Sequence, residues 1–323
     1  MELQLINPEI KLSESVSSSE LAFIQANTIP MALYELEQKH IIPVFVKDNE
    51  PVISHHDFIG CVQEVASHVF KNETILPPSL RVSHPIKGRI PEAKEKSAKD
   101  LLEHEKTIYY ERMAFVIEIP SVYSEINGNR LSLTVGGIKA YNMDNLYNRK
   151  GADEHFKIFI GFQNKVCCNL CIWTDGFSGV LKVKSSSDLM KQIFEVFTTY
   201  SFEQHFSFLN RFKEYYLTEN QFANLLGRAK MYQYLPLQEK KMLPNLMFGD
   251  NQIGIVARDY YQDESFCRNP DGSVNLWNLY NLFTGANKQS YIDTFLDRGL
   301  NAFSFVKHLE NSLERGSNTW FLS

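Results

Sequence analysis

Residues Phe156 to Gly176 read FKIFIGFQNKVCCNLCIWTDG, and the reading of the whole chain turns on this stretch. Two apolar runs rich in β-formers, Phe156 to Gln163 and Val166 to Trp173, flank the polar pair Asn164-Lys165, which is the pattern of a tight hairpin. Side chains alternate across a strand, so the second run predicts Val166, Cys168, Leu170 and Ile172 on one face. Cys167, Asn169, Cys171 and Trp173 then fall on the other. Before the stretch the chain reads as mixed sheet, and after it almost everything reads as helix.

Upstream, Thr107 to Ile119 is apolar on both alternating faces, as in a central strand covered on both sides. Leu131, Leu133 and Val135 alternate with Ser132 and Thr134 in a second strand, joined to the first through the turn signal Asn127-Gly128. A short strand is expected at Val180 to Val183. Ser54 opens a helix with Asp57 as its capping-box partner and Phe58, Cys61, Val62, Val65 and Val69 as its stripe. Further back, Ile41 to Val46 reads as an edge strand, Glu20 to Asn27 as a short helix, and residues 1–19, which include the serine-rich run from Ser13, as a flexible lead-in. Between Leu76 and Glu92 four prolines and one glycine predict a loop or extended arm, followed by a short helix bearing Lys94, Lys96 and Lys99.

Downstream the apolar period lengthens to about 3.6. Ser187 is the expected cap of one helix, Thr218 with Gln221 of another, and Asp250 of a third that runs to about Tyr261. The turn Asn269 to Gly272 precedes a helix with Leu276, Trp277, Tyr280 and Phe283, and Ser290 with Asp293 opens the last. The predicted class is α+β: a mainly antiparallel sheet in the N-terminal half packed against a helical C-terminal half. We expect one domain over 20–323, sheet-rich over 20–184 and helical over 185–323.

With 323 residues, 44% of them hydrophobic, the chain is long and apolar enough for a substantial core. A formal net charge of −5 supplies no global field toward nucleic acid, so any such binding must be local. No leader-like segment or apolar run of about 18 residues occurs, which predicts a cytoplasmic protein with no membrane partner. Five cysteines, two of them adjacent, do not suggest a disulfide framework.

Cys167, Cys168, Cys171 and His155 have the chemistry of zinc ligands, but the spacing is wrong. On a strand Cys168 points away from the other two, and Cys167 and Cys171 stand about 13 Å apart at about 3.3 Å per residue. No metal or other cofactor is therefore expected. His55, His56 and Asp57 diverge at a helix start, where solvated capping is the simpler account. Gly136-Gly137 is too little for a dinucleotide site. Asp259 and Asp263, four apart on a helix with Glu264 beside them, offer carboxylates of the kind that hold a divalent ion, although exposed helical acids, with Arg258 near enough to pair, are the commoner case. Tyr280, Thr284, Asn287, Lys288, Ser290 and Tyr291 cluster at a helix-helix junction whose second helix offers N–H groups to an anion; a well-capped corner is the simpler account. Arg81, Lys87, Arg89, Lys94, Lys96 and Lys99 form a one-sided basic segment suited to phosphates, unless Glu103 or Glu111 neutralises it.

Five strings, EHEKTIYYERMAFVIEIP, LSLTVGGIKAYN, FKIFIGFQNKVCCNLCIWTDG, LLGRAKMYQYLP and LWNLYNLFTGANKQSYID, together resemble an uncharacterised bacterial family. It is a domain of unknown function carried on conjugative transposons, plasmids and phages, and the resemblance spans about residues 76 to 310. It implies genetic context and carries no activity to any residue. Three functions follow as expectations: a DNA- or RNA-binding accessory of a mobile genetic element, a module that binds a host or element-encoded protein such as a defence enzyme, and a metal-dependent nuclease.

Overall fold

The computed structural model describes residues 22–40, 53–144, 152–317 and 319–323. The strands are β1 (Ile29–Met31), β2 (Ser79–Val82), β3 (Pro85–Arg89), β4 (Lys106–Tyr110), β5 (Arg112–Ile126), β6 (Asn129–Ala140), β7 (Glu154–Asn164), β8 (Leu170–Cys171), β9 (Phe177–Val183), β10 (Tyr216–Leu217) and β11 (Val274–Asn275). The helices are α1 (Leu33–Lys39), α2 (His55–Val69), α3 (Ser186–Thr199), α4 (Phe202–Arg211), α5 (Glu219–Tyr232), α6 (Leu237–Lys240), α7 (Asp250–Gln262), α8 (Leu276–Asn287) and α9 (Ile292–Glu314). The expected α+β class, with antiparallel sheet toward the N-terminus and helices toward the C-terminus, is what the chain adopts.

The main sheet runs β1-β2-β5-β6-β7-β8, with β9 also on β7. Its centre is the β5–β6 hairpin, turned by Asn127 (φ 49°) and Gly128 (φ 76°) between the paired Ile126 and Asn129. Positive φ at both central residues gives the twist that a two-residue hairpin needs. One sheet face, with Phe115, Ile117, Leu133, Val135, Phe156 and Ile158, packs on Phe58, Val62, Leu189 and Ile193 of α2 and α3. The other, with Ala114, Val116, Ile138 and Phe159, packs on Phe23, Ile24 and α9. Ile126, Leu131, Phe162, Cys171 and Trp173 then enter the aromatic core of the helical half. Gly136 and Gly137 let these layers close up. A Cβ on Gly136 would lie 2.2 Å from the Phe115 carbonyl oxygen, and one on Gly137 2.5 Å from the Phe58 ring.

The capping boxes at Ser54/Asp57 and Thr218/Gln221 form as expected. Other local expectations are corrected. Ser185, not Ser187, caps α3; Gly249 precedes α7 with Gln252 returning to its N–H; and α9 starts after Tyr291 without a side-chain cap. The stretch Leu76 to Glu92 is no loop, because β2 joins the main sheet and β3 pairs with β4. Pro77 and Pro78 precede β2, Pro85 opens β3 and Pro91 follows it, all places where no ladder N–H is needed. Thr107 to Ile119 is not one strand, since it divides at Glu111 between two sheets. Residues 94–99 form turns rather than a helix, and residues 22–27 are not helical. The strand expected at Ile41 to Val46 and the lead-in 1–19 lie outside the described residues.

Candidate functional site

In the second half of the opening stretch only Leu170 and Cys171 form a strand, paired with β7. Between β7 and β8, Lys165 to Asn169 close into a loop: Asn164 Oδ1 accepts the Val166 N–H at 3.0 Å, Asn164 O accepts from Cys168 N at 2.7 Å, and Asn164 N donates to Asn169 O at 2.9 Å. Cys168 takes φ 56°, in the left-handed region that Asn and Gly prefer. Strand alternation is thereby lost. Cys167 and Asn169 border one cleft, while Lys165 and Cys168 border another. Asn281 of α8 anchors this wall: its Oδ1 accepts from Asn164 Nδ2 at 3.2 Å and its backbone carbonyl from Asn169 Nδ2 at 3.0 Å.

The cleft beside Cys167 and Asn169 encloses about 410 Å³. Asn251, Ile255, Arg258 and Asp259 line it as one stripe of α7, with Asp263 just past the helix end; Gly285, Lys288, Gln289 and Gln25 complete the lining. The corner between α8 and α9 is held by the Lys288 carbonyl, which accepts from Gln25 N at 2.8 Å and Ala26 N at 3.1 Å. Lys288 is 8% exposed, and its ammonium donates to the Cys167 carbonyl, with no carboxylate at ion-pair distance among the described residues. Burial pushes its pKa below the ordinary lysine value.

Asn169 is 2% exposed; its Nδ2 is committed to Asn281, and its Oδ1 has no hydrogen-bond partner among the described residues. Asp263 Oδ1 accepts from Ser265 N at 2.9 Å and Phe266 N at 2.8 Å, while Asp259 Oδ1 accepts from Arg258 Nε at 2.7 Å. The walls thus carry amides and both signs of charge. Burial pushes the Cys167 thiol up to about 12, so it is a thiol and not a thiolate nucleophile near neutral pH.

This cleft unites residues that the sequence reading kept apart, Lys288 from the corner and Asp259 and Asp263 from the acidic trio. Glu264 is exposed and does not line it. The rest of the corner cluster is structural. Tyr280 is in the core, Thr284 Oγ1 donates to the Tyr280 carbonyl at 3.1 Å, and Asn287 Nδ2 donates to Phe295 O at 2.9 Å. Ser290 Oγ donates to Asn287 Oδ1 at 2.7 Å, and Tyr291 is exposed. The first turn of α9 is no anion site, because its own Asp293 sits there and pairs with Arg112 at 2.8 Å.

The basic segment also disperses. Arg81 is buried in β2; Arg89 donates to the Lys96 carbonyl; Lys96 pairs with Glu105, and Lys94 lies 3.9 Å from Glu95. Lys87 and Lys99 are exposed. Glu103 instead pairs with Lys106 at 2.5 Å and Glu111 with Arg112 at 2.9 Å. The cysteines diverge as well: Cys171 is buried in the helical core, and His155 is turned toward Asp144 at 3.3 Å. Among the described residues no group of three or more His, Cys, Asp or Glu side chains is placed to hold a metal ion. His55 is not a solvated capping residue. It is fully buried, its Nε2 2.8 Å from the Tyr110 carbonyl oxygen, and it stacks on Tyr141 with ring centroids 4.5 Å apart.

Two features were invisible in the sequence reading. Asn169 and Asn281 gave no signal, because their roles depend on two elements 112 residues apart. A fully buried Lys139 bridges Asp144 at 3.2 Å and Glu154 at 2.7 Å, and lies over the Phe156 ring at 4.0 Å. The only available hint was a lysine inside an apolar strand.

The fold and cleft define an α+β protein with a polar, mixed-charge groove between a helix and a helical corner. The sequence matches over residues 8–322 the family described as "Domain of unknown function, B. Theta Gene description (DUF3871)", and the chain belongs to that family. The match extends well beyond the 76 to 310 expected from the quoted strings. No curated protein and no solved structure matches the chain. Among the described residues no helix is long and apolar enough to cross a membrane.

Proposed function

We propose that this protein is a binding module that holds a short extended peptide segment of a partner protein in the cleft between α7 and the α8–α9 corner. The observation that carries the reading is Asn169: a buried amide whose Oδ1 lacks a partner is costly unless a ligand N–H completes it. The other walls suit the same class. The amides of Asn251 and of Gln25 and Gln289, the last two joined by a 2.9 Å hydrogen bond from Gln289 Nε2 to Gln25 Oε1, match peptide groups, and Asp263 and Lys288 offer opposite charges to flanking side chains. The stripe from Asn251 to Asp263 runs about 18 Å at about 1.5 Å per residue, the length of about five extended residues. Binding is favoured over catalysis because the cysteine is held as a thiol, Asp259 is engaged by Arg258, and no histidine among the described residues lines the cleft.

A random peptide library selected on the wild-type protein tests this. Enriched peptides should bind with Kd of about 1–100 μM, or about 5–8 kcal/mol, and should lose tenfold or more on Gly285→Gln. Gln favours the helix over Gly, and a Cβ at this position would meet only Asn169 Nδ2, at 3.8 Å, so the longer side chain has room to start out into the cleft. No enrichment, or equal binding to the filled cleft, would sink the proposal. The reading as a DNA- or RNA-binding accessory of a mobile element is left with Lys87 and Lys99 as its exposed, unpaired contacts among the described residues. A salt-dependent binding assay on the Lys87→Glu, Lys99→Glu double variant would revive it only if the wild type bound and the variant did not.

A further inference from the structure

A second cleft, of about 390 Å³, lies across the Lys165 to Asn169 loop over the end of the sheet. Phe23, Pro30, Leu76 and Val116 give it apolar walls. The register places Arg81 there: it pairs with Ala114 of β5 and Pro30 of β1, so it shares the face of Val116. Its Nε donates to Thr28 Oγ1 at 3.0 Å and its Nη2 to Thr28 O at 3.0 Å, both neutral acceptors. Arg81 is only 9% exposed, and no carboxylate among the described residues forms an ion pair with it. Glu118, in the same cleft, is committed through Oε2 to Lys165 at 2.7 Å, and its Oε1 is buried without a partner among the described residues.

A buried guanidinium with no counter-charge is disfavoured, and a methionine would occupy similar space without that cost. Burial accordingly pushes its pKa down. Its Nη1 meets no acceptor among the described residues and Nη2 keeps a second hydrogen, and a carboxylate can take one N–H from each in a two-point contact. We propose that this cleft is a separate site for an organic carboxylate with an apolar body. The carboxylate sits on Arg81, the apolar body lies against Phe23 and Val116, and Glu118 Oε1 accepts a hydrogen bond where the ligand has a donor.

Calorimetric titration with three isosteric probes tests the site: 3-phenylpropanoate, 3-phenylpropanol and 3-phenylpropylamine. The acid should bind at least tenfold more tightly than the alcohol, and the amine more weakly than either. Arg81→Met should bring the acid down to the alcohol and leave the alcohol unchanged. Ser79→Phe, which projects from an exposed rim position, should weaken acid and alcohol alike. Equal affinities for acid and alcohol, no binding at millimolar concentration, or acid binding unaffected by Arg81→Met would each overturn the proposal. Should Arg81→Met fail to fold, Ser79→Phe decides: loss of acid binding supports the site, and unchanged binding refutes it.

Discussion

Among the described residues four basic side chains are buried, and they fall into two kinds. In the sheet, Lys139 meets Asp144 and Glu154, and Lys157 meets Asp297 at 2.5 Å. Beside the Lys165 to Asn169 loop, Lys288 meets only the Cys167 carbonyl and Arg81 only Thr28. Burying a charge is tolerable when a counter-charge is built in, so the paired lysines read as structural. The two without counter-charge both line clefts, where a ligand can supply what the chain withholds.

The sharpest way to break this contrast is to remove one cation of each kind. Lys139→Met would leave two buried carboxylates uncompensated and should lower stability by about 3–5 kcal/mol, whereas Arg81→Met should stay within about 1 kcal/mol of wild type or exceed it. Equal losses in urea titrations would erase the distinction. The same titrations should show coincident transitions by tryptophan fluorescence and far-UV circular dichroism. We take residues 20–323 as one folding unit because sheet residues such as Phe162 and Trp173 lie in the helical core; separate transitions would refute that.

Acid provides the next test, because a buried histidine avoids charge instead of pairing it. Burial pushes His205 down to about 3 and His40 to about 4. Between those values and the ordinary 6.5 the unfolded chain binds more protons than the folded one, so stability falls as pH falls through this window. His205 alone should cost about 2 kcal/mol at pH 5, at about 1.4 kcal/mol per pH unit. His205→Gln, measured by thermal melts from pH 7 to 4, should flatten the profile; an unchanged slope would assign the acid sensitivity elsewhere.

A smaller effect is expected at Lys288→Met, which should cost about 1 kcal/mol for the lost hydrogen bond and abolish peptide binding. Since burial lowers the folded-state pKa of Lys288, wild-type stability should gain from this residue as pH rises from that lowered value toward 10.5. The variant should lack this gain in denaturation between pH 8 and 10.5. The smallest effect belongs to Cys168→Gly. It relieves a left-handed residue at about 1–2 kcal/mol and loses about 0.5–1 kcal/mol to glycine's backbone entropy, a net gain of about 0.5 kcal/mol. A loss instead would mean that the thiol's packing, not φ, fixes the loop.

The sequence by itself determined whatever local periodicity and capping can carry. The α+β division, the Asn127-Gly128 hairpin, the α2 and α5 capping boxes and the stripes of the long helices are each written within a few residues of one another. What only the tertiary structure decided was every place where one residue answers to another far away. The prolines of residues 76–92 suggested a loop, but β5 gave β2 a ladder to join. Alternation put Cys167 and Cys168 on a strand, but Asn164 and Asn281 drew them into a loop with a cleft on each side. Arg81 looked like a surface phosphate contact, and register with Ala114 and Pro30 buried it instead. Period and propensity are short-range, whereas burial and counter-charge depend on residues that folding alone brings together.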